Sequence, residues 1–188
     1  RNATGWGLDF EQMEQEGRLK IVCEYPEVLG LEDHLVTMKD LIEEFAPTRI
    51  AVDSLSAMER GATNKSFREF VIGLTSYIKS KEIAGLFTSV TPSLMGGTSI
   101  TEAHISTITD AIVLLRYVEM FGEISRGIAV LKMRGSAHDK QIREFNIDGD
   151  GMHIGKAFAN VTGIMSGNPV YVAPGEQDRL RGMFKEAD

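Results

Sequence analysis

Between residues 100 and 120 the chain reads ITEAHISTITDAIVLLRYVEM, with hydroxyls at Thr101, Ser106, Thr107 and Thr109 crowded against the start of an apolar run. Ser and Thr in a turn satisfy local backbone groups, but four exceed what one turn needs. Such hydroxyl oxygens are nucleophiles toward an activated γ-phosphoryl group when geometry is in line and a carboxylate base is near. Ser106 and Thr107 are therefore candidate phosphoacceptors, with Glu102 as an acidic neighbour. His104 reads as a polar contact without a catalytic role.

Two further groups suit the same chemistry. Asp53 closes RIAVD (49–53), an apolar run that reads as a fully buried parallel strand. A carboxylate at that edge of an open α/β sheet lies where ligands bind, and in nucleotide-hydrolysing folds it holds Mg²⁺. An aspartate there also caps the next helix, and spacing does not separate the two roles. The second group is KMRGSAHDK (132–140). Lys132 and Arg134, two apart on a strand, project to one side, while Gly135 and Ser136 offer backbone N–H groups to an anion. His138 and Lys140 extend the run. An exposed strand edge protected by charge is the alternative. No GxxxxGK[ST] loop occurs, and the glycines of MGGTS (95–99) lack the lysine, so the usual phosphate grip is missing.

The elements that must position these groups follow from periodicity. LKIVCE (19–24) reads as a strand, with Cys23 a buried small hydrophobe. LEDHLVTMKDLIEEF (31–45) and NKSFREFVIGLTSYIKSKE (64–82) carry apolar stripes at helical spacing, the first closed by Pro47. AGLFTSV (84–90) is a second buried strand. The alternation implies a parallel sheet covered by helices. Beyond it, DAIVLLRYVE and ISRGIAVLKMRG form a hairpin turning at Phe121 and Gly122, and QIREFNID with DGDGMHI forms another. The sheet thus begins parallel and ends antiparallel. From Gly163 a loop and a weakly ordered end are expected.

Composition narrows the function. At 188 residues and 20.7 kDa, with 43% hydrophobic and 25% charged residues, one globular domain is expected. No apolar run is long enough for a membrane span and no signal peptide is legible. One cysteine makes no internal disulfide, which fits a cytoplasmic protein. A net charge of -7 and a pI near 5.2 argue against nucleic acid, which needs clustered cations. The local cluster at Arg126, Lys132, Arg134, Lys140 and Arg143 calls for a smaller anion. The opening RNATGWG, without Met, reads as a piece of a longer protein.

SITEAHISTITDAIVLLRYVE, RIAVDSLSAMERG, REFVIGLTSYIK and AVLKMRGSAHDKQIREF together closely resemble the second, C-terminal ATPase domain of the KaiC family of the cyanobacterial circadian clock. The likeness runs from GWGLDFEQME to about Gly167. It implies a three-layer RecA-like P-loop NTPase domain, a parallel sheet extended by antiparallel hairpins. Residues 1–167 would be the C-terminal part of that domain and 168–188 a tail. It further implies a homohexamer ring with ATP and Mg²⁺ bound between subunits. Ser106 and Thr107 match the family's autophosphorylated pair, Thr101 a secondary acceptor, and Asp53 the metal-binding aspartate of the second nucleotide motif. Trp6, Arg126, Lys132, Met133, Arg134, Ser136, His138 and Lys140 match residues beside the nucleotide.

The resemblance therefore implies an ATP-dependent Ser/Thr autokinase and ATPase whose phosphoryl group passes between subunits. This fragment alone would be inactive, because the family's Walker A loop and the glutamate pair after it would precede Arg1. A KaiB-like regulator is an implied partner. Ala137 stands where a bulky aromatic is usual, and the tail matches poorly where the family binds KaiA, so KaiA is unsupported. A non-catalytic ring-assembly module carrying phosphoacceptors is the alternative. A RecA-like DNA motor is a third reading, which the acidic balance disfavours.

Overall fold

The structure is a computed structural model that describes residues 2–90, 107–165 and 168–173. They fall in two compact units. Of the described residues, the first, a helical unit, comprises 7–90 and 107–108; the second, a sheet unit, comprises 2–6, 109–165 and 168–173.

In the helical unit, α2 (Phe10–Gln15) precedes α3 (Leu31–Phe45), α4 (Leu55–Glu59) and α5 (Asn64–Ser80), with β1 (Arg49–Val52) and β2 (Ala84–Phe87) paired in parallel. The expected helices form where the apolar stripes stand. Glu32 and Asp33 lie in the first turn of α3, where the helix dipole favours negative charge. At its other end Ala46 takes a left-handed φ of 49° and returns its N–H to the Ile42 carbonyl; Pro47 follows. Thr63 caps α5 by accepting a bond from Ser66 N. From α5, Phe67, Phe70, Val71, Leu74 and Ile78 meet Leu31 and Ile42 of α3 and Leu55 of α4 in one core. Each such side chain contributes about 1.5–3 kcal/mol by leaving water.

Two expectations fail here. Residues 19–24 form no strand: the Ile21 N–H donates to the Glu14 carboxylate at 3.0 Å, so a side chain serves backbone that a ladder would otherwise satisfy. Cys23 is accordingly exposed rather than buried. Just beyond it, His34, a buried histidine of α3, donates its Nε2–H to the Pro26 carbonyl at 3.2 Å. Likewise β1 and β2 are not buried on both faces. Ile50, Val52 and Phe87 pack on the core, whereas Leu86 on the other face is 66% exposed. Among the described residues helices lie against one face, and the strands alternate as half-buried strands do.

In the sheet unit, β3 (Ala111–Met120), β4 (Glu123–Met133), β5 (Arg143–Asp148) and β6 (Gly151–Ala157) form an antiparallel sheet in that order. Phe121 and Gly122 join β3 to β4 with φ of 53° and 78°; positive φ at both central positions matches the right-handed strand twist. A short pair, β7 (Val161–Thr162) with β8 (Val170–Tyr171), follows, and Tyr171 meets Phe121 edge-on at 5.9 Å. α1 (Asn2–Gly5) also belongs to this unit. Among the described residues the parallel and antiparallel ladders are separate sheets. No helix among them is long and apolar enough to cross a membrane.

Candidate functional site

The parallel register sets Val52 beside Phe87, so the next residue on each strand, Asp53 and Thr88, emerge together at the carboxyl edge. Thr88 Oγ1 donates to Asp53 Oδ1 at 2.5 Å. The backbones are laced as well: Thr88 N–H donates to the Val52 carbonyl at 3.1 Å and Leu55 N–H to the Thr88 carbonyl at 2.9 Å. Ser56 Oγ then accepts from Val90 N at 2.6 Å and lies 3.1 Å from Ser89 Oγ. The cap of α4 is Ser54, not Asp53, and Asp53 bonds Thr88 instead. That removes the capping role left open by spacing. The carboxylate stays exposed at a rigid edge, which suits Mg²⁺: that ion needs one or two carboxylates, its other positions going to water and substrate phosphates. The described residues offer no cluster of three or more metal-ligating side chains, which such coordination does not require.

The same unit carries the only acceptor candidate within the described residues. Thr107 is exposed, and the side chain of the next residue, Ile108, packs against the core. The Ile108 carbonyl accepts from Lys79 Nζ at 3.1 Å. Ser106, Thr101, Glu102, His104 and the MGGTS glycines lie outside the described residues.

The cationic strand is in the sheet unit. Half-buried Lys132 donates from Nζ to the Thr109 carbonyl at 2.8 Å. Arg134 donates its backbone N–H to the Asp110 carbonyl at 2.8 Å and pairs its guanidinium with Asp110 Oδ1 at 3.3 Å. The two expected cations therefore converge on one short segment, two residues beyond Thr107 in sequence. Met133 ends β4 opposite Ala111, and Arg126 pairs across the ladder with Tyr117. Gly135 takes a φ of 74°, a left-handed conformation that favours glycine. Ser136, His138 and Lys140 follow outside any strand, His138 half-buried. Asp139 sits among them, its carboxyl held below its ordinary value first by the Gln141 N–H and then by the Arg143 side chain. Arg143 Nε donates to it at 2.7 Å, so this member of the basic run is already paired.

Trp6 donates its indole N–H to the Asp148 carbonyl at 3.0 Å, within the β5–β6 turn. The Asp148 carboxylate accepts from Asp150 N–H at 2.9 Å and lies 3.0 Å from His153 Nε2. Its pKa is lowered, chiefly by the Asp150 N–H; burial opposes this and the His153 side chain adds to it. A lowered folded value means the contribution is present above the unfolded pKa and lost as pH falls through the folded one. Emission of Trp6, the single tryptophan, is therefore expected to stay constant through neutral pH and to shift only below the ordinary 3.8. Asp148→Asn is expected to abolish that step in a fluorescence titration.

Sequence reasoning missed Thr88, Lys79, Asp110 and the Asp148–His153 pair. Thr88 was legible as the hydroxyl after AGLF once a parallel register with RIAV is drawn. Lys79 gives no local signal.

A parallel pair with a carboxylate at its carboxyl edge, followed by antiparallel hairpins, fits a RecA-like α/β domain. A family model described as ATPase: KaiC matches residues 1–158, and the chain belongs to the KaiC family. It is similar to the circadian clock protein KaiC3 of Synechocystis sp., 70% identical over 186 residues that cover 99% of this chain and 37% of that protein. It is also similar to the circadian clock oscillator protein KaiC of Picosynechococcus sp., 57% identical over 98% of this chain and 36% of that protein. The KaiC of Prochlorococcus marinus is 56% identical over the whole chain and 37% of its own length. The chain thus spans little more than a third of these curated relatives.

Proposed function

We propose that the chain is part of an ATP-dependent Ser/Thr autokinase and ATPase that works as a homohexamer ring in the cytoplasm. The observation that carries this reading is the Asp53 carboxylate, fixed by Thr88 at the carboxyl edge of a parallel pair in a KaiC-family chain. Asp53 would hold Mg²⁺, which when bound neutralises charge between the β- and γ-phosphates of ATP. Trp6, Arg126, Met133, Ser136, His138 and Lys140 would line the nucleotide.

The acceptors would be Ser106 and Thr107, with Thr101 secondary. The hydroxyl oxygen would bond to the γ-phosphorus as the bond to the β–γ bridging oxygen breaks; ADP would leave, and the hydroxyl proton would pass to a carboxylate base. Lys132 and Arg134, already aligned along Thr109 and Asp110, would stabilise charge spreading over the equatorial oxygens. The added phosphate brings about -1.5 to -2 of charge and would alter ring contacts or the affinity of a KaiB-like regulator.

The test uses the full-length protein. Incubation with Mg-ATP is expected to raise the intact mass by phosphate, and Ser106→Ala with Thr107→Ala to remove the gain. A wild-type protein that binds ATP yet gains no mass would instead be a non-catalytic assembly module.

A further inference from the structure

We propose that Arg143 and Asp139 are positioning residues that set the loop 135–141 against the nucleotide, an inference that rests on Ser136, His138 and Lys140 lining that nucleotide. The loop has no apolar means of holding itself. Ala137 is its one apolar side chain and is exposed, and Gly135 enters it at a φ of 74°, where glycine alone is unstrained. Polar ties supply the order instead. Arg143, the first residue of β5, spreads its planar guanidinium over three acceptors: Nε donates to Asp139 Oδ2 at 2.7 Å, Nη2 to Gln141 Oε1 at 3.3 Å and Nη1 to the Gly155 carbonyl of β6 at 3.3 Å. Asp139 Oδ1 in turn accepts from the Gln141 backbone N–H at 2.9 Å.

One arm of the fork is thus fixed in the sheet and two are fixed in the loop. Bonds of this kind between a guanidinium and a carboxylate carry geometric specificity along with energy, and the rigid fork loses little freedom in making them. Without them the ligand must order the loop as it binds, and that cost is subtracted from its affinity. Charge alone makes the opposite demand. The Asp139 carboxylate repels a triphosphate, so its removal tightens binding if only the field matters and weakens binding if the order of the loop matters.

The test measures Mg-ATP binding by titration and steady-state ATP hydrolysis in the full-length protein. Asp139→Ala and Arg143→Met are each expected to weaken binding by about 5-fold and to raise KM with it, while kcat stays unchanged because Lys132 and Arg134 are untouched. The two substitutions together should cost little more than either alone, since each removes the same tie. Arg143→Lys keeps the charge without the fork and should recover only part of the loss. Tighter binding in Asp139→Ala, additive losses in the double variant, or full recovery in Arg143→Lys overturns the proposal. Hydrogen exchange of residues 136–141 in nucleotide-free protein is an independent measurement, expected to quicken in Asp139→Ala and in Arg143→Met. If the wild type binds no ATP, the nucleotide reading fails, and exchange alone decides the fork: quickened exchange upholds it and unchanged exchange overturns it.

Discussion

Asp53→Asn, made in the full-length protein, is expected to lower both ATP hydrolysis and phosphoryl transfer by about 10²–10³-fold. The substitution is nearly isosteric. Asparagine keeps an acceptor oxygen for the Thr88 hydroxyl, so the bond that ties the ends of β1 and β2 survives. What disappears is the negative charge available to Mg²⁺ at the carboxyl edge. Asp53 is exposed, and the fold should change in stability by no more than about 0.5 kcal/mol. Thr88→Val offers the complementary case: the charge remains, but nothing fixes its orientation. A loss of about 10-fold is expected there, because the carboxylate must be ordered anew in each turnover. Steady-state rates over a Mg²⁺ titration check both. Asp53→Asn turning over at the wild-type rate would remove this carboxylate from the site.

The contrast between Asp53 and Thr88 shows what a sequence discloses. Asp53 stands out because a carboxylate interrupts an apolar run. Thr88 is one hydroxyl among many until β1 and β2 are laid in parallel, since its partner lies 35 residues away. Lys79 and Ile108 present the same difficulty, as do Arg134 and Asp110: such ties depend on tertiary placement, which periodicity does not encode. Helices are different, because an apolar stripe at a spacing of 3–4 residues is itself the surface that packs. The limits of α3 and most of α5 are accordingly legible, and so is the turn at Phe121 and Gly122. LKIVCE misleads because a strand is a pairing rather than a property of one segment: its apolar residues suit a ladder, yet the described residues supply no partner strand.

The stability of the helical unit should hinge on Leu74. At 1% exposure it is among the largest fully buried side chains, and it sits where α5 faces α3 and α4. Gly73 beside it shows how near the helices come: a Cβ there would lie 3.0 Å from Leu35 Cδ2. Elements this closely interlocked collapse poorly into a void, so Leu74→Ala forfeits both the transfer of the lost atoms from water and the contacts around the cavity. A destabilisation of roughly 3–4 kcal/mol is expected. Against a total of about 5–15 kcal/mol for a typical domain, that is a large share. Ile72, two residues away on α5 and 39% exposed, is the internal control; Ile72→Ala should cost far less, because its surroundings are partly water already. Urea titrations of the 188-residue chain should show a large drop in midpoint for Leu74→Ala and a small one for Ile72→Ala. Equal midpoints for the two variants would mean that α5 does not turn this face to the core.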